Sequence, residues 1–309
     1  MNEDQNSVQS RASVRVWVQA VRPFAFTASM VPVFLGAALT LRTEGAVKWG
    51  LFPLVVLASL LIHAGTNLIN DYFDFRKGVD RAETHGSSRV LVEGLLTPRQ
   101  VLFGGLAAFA MTAAVGLVFV AIHGWPILAL GLAGMAAGFF YTAAPVAYKY
   151  VGLGDACVFL MMGPLMVVGS YFVLTGRWAA EAAVVAIPVG CLVASILSGN
   201  NLRDMTHDAV ASVRTTAGFL GPRWARLEYS ALVTLAYVFV PVLMAAGFLS
   251  AWSLLTLLTL PPAVRNVRLA LRSTPETPGQ LATLDVQSAR VHLLFGVLLI
   301  ASVVLEQFV

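Results

Sequence analysis

From about residue 24 onward the chain is built of long apolar runs separated by short polar segments, and none of the runs alternates with the period of two that marks a half-buried strand. Nine of them approach the roughly 20 residues a helix needs to cross a hydrocarbon core. They are 24–41, 51–70, 101–122, 126–145, 155–175, 181–199, 227–247, 251–271 and 291–308. Barrel strands would give short alternating segments instead. The pattern therefore predicts an all-α polytopic membrane protein with nine transmembrane helices around a central cavity, capped by cytoplasmic loops. Residues 1–13 are polar and read as a disordered tail, leaving 14–309 as one integral-membrane domain. The tail holds Glu3 and Asp4 and shows no small-residue cleavage site, so the first run is expected to stay in the mature protein. Residues 272–280, "RSTPETPGQ", read as a Pro-containing loop before the last run.

Composition supports this. Hydrophobic residues make up 58% of the chain and charged ones 12%, with a mean hydropathy of +0.79, far from the soluble average. The distribution of charge sets an orientation. With the N-terminus cytoplasmic, all of the 20 Lys and Arg except Arg42, Lys48 and Arg177 lie in the tail or in connections on the same side. That is the positive-inside arrangement, expected for a cell inner membrane with its polar loops facing the cytoplasm. The net charge of +4 then reflects retention of basic loops at an anionic leaflet and calls for no nucleic acid. Cys157 and Cys191 stand alone inside apolar runs and read as packing residues. Gly131, Gly134 and Gly138 in "GLAGMAAGFFY" read as positions of close helix approach rather than ligand contact.

Two polar stretches break the pattern at run ends. In "NLINDYFDFRKGVD" (67–80), Asn67 and Asp71 are four apart, as are Asn70 and Asp74, so a continuing helix shows them on one side. His63 precedes them by one turn and reads as a satisfied polar core residue. "NNLRDMTHD" (200–208) repeats the arrangement with Asn200, Asn201, Asp204 and Asp208. Carboxylates at the bilayer centre cost about 2.5–3.5 kcal/mol each on insertion scales, so these must face water, a cation, or both. In the nine-run topology both ends point to the cytoplasm and can meet across one cavity. Hard oxygen donors suit Mg2+, commonly held by carboxylates together with substrate phosphate oxygens. Lys77, Arg81 and Arg89 follow the first cluster, and Arg203 and Arg214 flank the second; such side chains bind phosphate oxygens. Acids and bases mixed in this way point to an anionic ligand bound through metal. An ion-coupled transporter is the competing class, since intramembrane Asp and Asn also mark transport sites. Asp155 and Glu181 read as solvated helix caps, and the Arg265, Arg268 and Arg272 group reads as a topology signal.

These two stretches, with "VRTTA" after the second, "YTAAPVAYKYVGLGD" and "GPLMVVGSYFVLTG", resemble the UbiA superfamily of intramembrane aromatic prenyltransferases over 22–296. Within it the motifs are most similar to the branch that prenylates 1,4-dihydroxy-2-naphthoate. The resemblance implies a first metal motif of Asn67, Asp71 and Asp74, followed by Asp80, and a second of Asn201, Asp204 and Asp208. It assigns substrate binding to Arg203, Arg214 and Lys149 and Mg2+ as the cofactor. Asn70, Asn200 and Tyr141 join the expected substrate-binding set, with Tyr72 and Phe73 able to offer ring faces to a cation or simply to pack at the interface. Val213 and His207 depart from the family pattern, where a basic and an acidic residue are usual. The implied reaction moves a polyprenyl group from polyprenyl diphosphate to the naphthoate with loss of CO2, giving demethylmenaquinol in menaquinone biosynthesis, and membrane lipid is the remaining partner. Transfer to another aromatic acceptor such as 4-hydroxybenzoate is the alternative.

Overall fold

A computed structural model describes residues 13–81, 87–274 and 278–308. The N-terminal tail before Ser13, His85 and the centre of the 272–280 loop fall outside the described residues. Those described are helical, and β pairing is confined to one isolated bridge between Val151 and Arg214. All nine expected runs are helical. Twelve α-helices follow one another: α1 (Val14–Val21), α2 (Thr27–Leu39), α3 (Phe52–Lys77), α4 (Pro98–His123), α5 (Trp125–Phe140), α6 (Gly154–Leu160), α7 (Met166–Thr175), α8 (Ala180–Val185), α9 (Ile187–Val210), α10 (Thr216–Ala245), α11 (Leu260–Arg272) and α12 (Leu284–Leu305).

Six helical stretches are long and apolar enough to cross a membrane: Pro23–Arg42, Trp49–Lys77, Pro98–His123, Gly154–Thr175, Thr216–Ala245 and Gly279–Phe308. The other three expected runs are helical but interrupted, short or polar, each for a visible reason. Run 126–145 becomes the 16-residue α5, because the chain turns at Tyr141 into the Pro-containing connection. Run 181–199 is divided between α8 and α9, and α9 carries Asn200 to Asp208 in its last turns. Run 251–271 starts as a 3-10 helix, Ala251–Thr259, and continues as α11, whose polar face holds Arg265, Arg268 and Arg272.

The outer surface is apolar, with Phe103, Leu117, Trp125 and Leu258 all well exposed. Lipid is the solvent that suits such a surface, and helices suit lipid because they satisfy their own backbone. Inside, α3 packs on α4, α9 on α10 and α12, and α2 on α7 and α12. Small residues set these approaches: a Cβ at Gly296 would overlap Val31, one at Gly36 the backbone of Val167, and Gly163 lies against Gly190. The glycines of α5 correct the sequence reading. Gly138 does pack on Thr66, but Gly131 has nothing within 4 Å of its Cβ position, and Gly131 and Gly134 border a cavity. At the end of the bundle reached by the C-termini of α2 and α12, Arg42 is bound by Glu181 and Glu306 and donates to the Phe248 carbonyl at 2.9 Å. At the opposite end lies the polar cluster described next.

Candidate functional site

α3 runs six turns past its Pro53 start and stops at Gly78, which takes the left-handed φ of 73° that favours glycine. One face of it, Val55, Ser59, His63, Asn67, Asn70 and Asp74, borders a cavity of about 640 Å3. The steps of three and four residues keep that face in line. Asp80 joins it from just beyond the helix, and α9 supplies Asn200, Asn201, Asp204, His207 and Asp208. Lys149 comes from a short 3-10 turn, Tyr148–Tyr150, and Arg22 from the break between α1 and α2. Asp285, at the start of α12, and Tyr141 also border the cavity. The charged groups gather at this mouth, while farther in the walls are mainly apolar, with Val33, Val55, Phe119, Leu130, Met162 and Met166 interrupted by Ser29, Ser59, His63 and Thr112.

The mouth is held by ion pairs. Lys149 Nζ lies 2.7 Å from Asp74 Oδ2 and 3.5 Å from Asn70 Oδ1, and the Tyr150 hydroxyl donates to the other Asp74 oxygen. Tyr150 also lies under Lys77, whose Nζ is 4.0 Å from the ring centroid. Arg203 grips Asp204 with two donors at 2.8 and 2.7 Å, reaches Asp285 at 2.7 Å and donates to the Asn200 side-chain oxygen. Asp71 pairs with Arg22 and accepts from Ser88; it does not border the cavity. Asn67 donates its amide to the Val21 carbonyl at 2.9 Å, and Asn201 donates to Asp155 at 3.2 Å. Among the described residues neither Oδ1 has a donor on it, so both carbonyl oxygens remain for another ligand. Asp208 accepts from Thr215 at 3.4 Å.

Other expected residues lie farther back. Arg81 donates to the Gly78 carbonyl at 2.8 Å, Arg89 pairs with Glu93 at 2.7 Å, and the Arg214 guanidinium lies 5.9 Å from the Phe219 ring centroid. Neither these three nor Lys77 and Arg203 line the cavity. Asp155 corrects the solvated-cap reading, since it is buried and receives Asn201. Sequence reasoning missed Arg22, Ser88, Tyr150 and Asp285. Each comes from a different connection or helix start, with no shared spacing to reveal it.

Burial is the dominant electrostatic effect, and neighbouring acids add to it. Burial, reinforced by Asp74, raises the Asp80 carboxyl to about 7 against the opposing pull of Arg22 and Lys149. Burial likewise raises Asp208 to about 6, Lys149 opposing and Asp204 and Asp74 adding to the shift. For Lys149, burial alone would lower the pKa, but Asp74, followed by Tyr141, Tyr150 and Asp208, lifts it well above the ordinary lysine value. No group of three or more His, Cys, Asp or Glu side chains stands ready as a metal cage among the described residues. The donor chemistry is nevertheless of the kind Mg2+ takes, because four carboxylates, Asp74, Asp80, Asp204 and Asp208, and the undonated amide oxygens of Asn67 and Asn201 border one cavity, with no thiolate among them.

The chain is similar to known proteins along nearly its whole length. The sequence is 30% identical over 306 residues to a 1,4-dihydroxy-2-naphthoate octaprenyltransferase of Bacillus subtilis (strain 168), covering 99% of this chain and 97% of the relative. It is 32% identical over 306 residues to the UbiA prenyltransferase domain-containing protein 1 of Homo sapiens, covering 96% of this chain and 88% of that one. Among solved structures, a UbiA homolog from Aeropyrum pernix K1 superposes with a TM-score of 0.68 at 16% identity, over 92% of this chain and 98% of the other. A UbiA homolog from Archaeoglobus fulgidus bound to GPP and Mg2+ gives 0.57 at 16% identity, over 93% and 99%. The model of the UbiA prenyltransferase family matches residues 29–294, and this integral membrane chain belongs to that family.

Proposed function

We propose that the protein transfers a polyprenyl group from polyprenyl diphosphate to 1,4-dihydroxy-2-naphthoate with release of CO2, a step of menaquinone biosynthesis. One observation carries the reading: a single cavity has an oxygen-rich, basic mouth and a mainly apolar depth, which matches a substrate with a charged head and a hydrocarbon tail. The naphthoate is favoured over other aromatic acceptors by the full-length likeness to the Bacillus subtilis enzyme.

Asp74, Asp80, Asp204 and Asp208, with the free amide oxygens of Asn67 and Asn201, would hold Mg2+. Bound there, the ion supplies Lewis-acid neutralisation of the diphosphate. Asp71 contributes its charge from behind, through Arg22. Lys149 and Arg22 present cations at the cavity wall, while Arg203, Arg214, Lys77, Arg81 and Arg89 make the surrounding potential favourable to a diphosphate. Their charge stabilises the leaving group as the allylic C–O bond breaks. The allylic carbon then bonds to the ring carbon that carries the carboxylate; the C–C bond to that carboxylate breaks, its electron pair restores the aromatic ring, and CO2 leaves. The apolar walls keep water from the allylic cation, and the Tyr141 ring stands at the mouth where that cation forms. In this reading the nine helical runs all cross the bilayer, with the N-terminus and the polar mouth on the cytoplasmic side of the inner membrane.

The test uses membranes containing the protein, an allylic diphosphate and carboxyl-labelled naphthoate. Labelled CO2 is expected in step with the prenylated product, and both should require Mg2+. Efficient prenylation of 4-hydroxybenzoate with no turnover of the naphthoate would overturn the acceptor assignment. Absence of pyrophosphate release with every aromatic acceptor would overturn the reaction itself.

A further inference from the structure

His63 lies on the cavity face of α3, eleven residues before Asp74 and thus about 16 Å deeper along the helix axis. Its Nδ1 is 2.5 Å from the Ser29 hydroxyl on α2, and the Phe26 ring packs against it edge-on at 5.3 Å. Ser29 is wholly buried, and among the described residues its hydroxyl has no other hydrogen-bond partner. A buried hydroxyl hydrogen must find an acceptor, and leaving it unpaired costs about 1–3 kcal/mol. Ser29 therefore donates to Nδ1, which fixes the neutral tautomer with its proton on Nε2. No described residue accepts from Nε2, and the ring borders the cavity. The result is a locked N–H donor in a part of the wall where Ser59, Thr66 and Thr112 give their hydroxyl hydrogens to carbonyls of their own helices. A prenyl tail would leave that donor unsatisfied, whereas an oxygenated ring would not. The depth suits the ring: between Asp74 and His63 there is room, in succession, for the phosphate group, the allylic carbon and a bicyclic aromatic. Arg22 is the charged group that acts on His63 from the same wall and already pairs with Asp71, so the neutral donor suits a hydroxyl better than a carboxylate.

We propose that His63, pinned by Ser29, donates Nε2–H to the ring hydroxyl oxygen of the aromatic acceptor and thereby selects hydroxylated rings. The inference rests on the aromatic-acceptor reading above and deepens it. Equilibrium binding to the purified full-length protein separates the two, using 1-hydroxy-2-naphthoate and 2-naphthoate as probes with no diphosphate present. His63→Phe keeps the packing against Phe26 and should weaken the hydroxylated probe about 5- to 10-fold, the range for one lost hydrogen bond. The probe without the hydroxyl should change by less than about twofold. His63→Gln retains an N–H donor and should restore most of the loss. In turnover, KM for the acceptor should rise in His63→Phe while KM for the allylic diphosphate holds. Equal loss of both probes, loss of neither, or a matching rise in the diphosphate KM would overturn the contact. If His63→Phe does not fold, Ser29→Ala frees the tautomer and should lower affinity for the hydroxylated probe alone by about 2- to 5-fold; no loss there overturns the proposal equally. A wild-type protein that prenylates the naphthoate while the variants bind normally sinks the contact and leaves the function. One that shows the selective binding but transfers no prenyl group sinks the function and leaves the contact.

Discussion

Asp74 carries several interactions at once, because Lys149, Tyr150 and the cavity all meet at one carboxylate. Removing its charge while keeping its shape should be costly for chemistry and mild for folding. Asp74→Asn and Asp204→Asn are expected to lose roughly 100-fold or more in turnover at saturating Mg2+, the scale for losing one preorganised electrostatic group. The exposed Arg268→Ala should stay within about twofold. Pyrophosphate release in membranes, with helical circular dichroism as the folding control, checks both. Asp71 behaves differently, since its partner Arg22 is itself almost buried. Asp71→Asn removes the charge that Arg22 pairs with and should destabilise the protein, by at most about 3–5 kcal/mol because Asp74 and Asp80 also act on that guanidinium. Removing both charges in Arg22→Met with Asp71→Asn should recover much of that loss. Thermal unfolding in detergent reads the coupling, and additive losses would show that the pair is not a unit.

Lys149 and the two acidic helix ends work as elements, α3 and α9 facing each other across the mouth with the Tyr148–Tyr150 turn between them. Because burial and neighbouring acids raise the Asp80 and Asp208 carboxyls above the ordinary carboxylate range, a proton competes with a cation for the same oxygens in mildly acidic solution. The sign follows directly: raising the pH from about 5.5 to about 8 empties those protons and should lower the Mg2+ concentration needed for half-maximal activity. Asp80→Asn should flatten the upper part of that dependence. A half-saturation independent of pH would mean the acids do not bind the cation. The recurrence of Asn-x-x-x-Asp made both helix ends legible in the sequence, and Asn67, Asn70 and Asp74 do share the cavity face. Spacing alone could not show that Asp71, four residues from Asn67, is turned onto Arg22 and Ser88, because that depends on where α1 and the segment after α3 pack. Lys149 was found through family resemblance. Arg22 was legible only as a topological charge, for the left-handed turn that aims it, φ 55° before Pro23, leaves no periodic trace. The Gly131 and Gly134 reading failed for a related reason: a small residue serves a close approach or an open cavity equally well, and only the packing decides.

At the scale of the whole molecule, all nine runs read from the apolar pattern are helical, but α1 (Val14–Val21) lies outside them, and continuity and length were less legible. The 3-10 start at Ala251–Thr259 and the break between α8 and α9 depend on neighbouring helices rather than on hydropathy. The proposed topology can be read with single cysteines in a background lacking Cys157 and Cys191. Cysteine at Thr274 should react with an impermeant reagent only when the cytoplasmic face is open, and cysteine at Gly45 only from the other side. The reverse pattern would invert the orientation, and labelling of both from one side would remove a crossing. The cavity has one more consequence. At about 640 Å3 it lies within the usual range of small-ligand pockets, enough for a head group, an acceptor ring and the first isoprene units, while the rest of a long tail lies among the lipids. The bilayer is then the solvent in which this substrate is dissolved. Its effective concentration is its mole fraction in the membrane, so diluting the vesicles in buffer leaves the rate per protein unchanged, while diluting the substrate with added lipid lowers it.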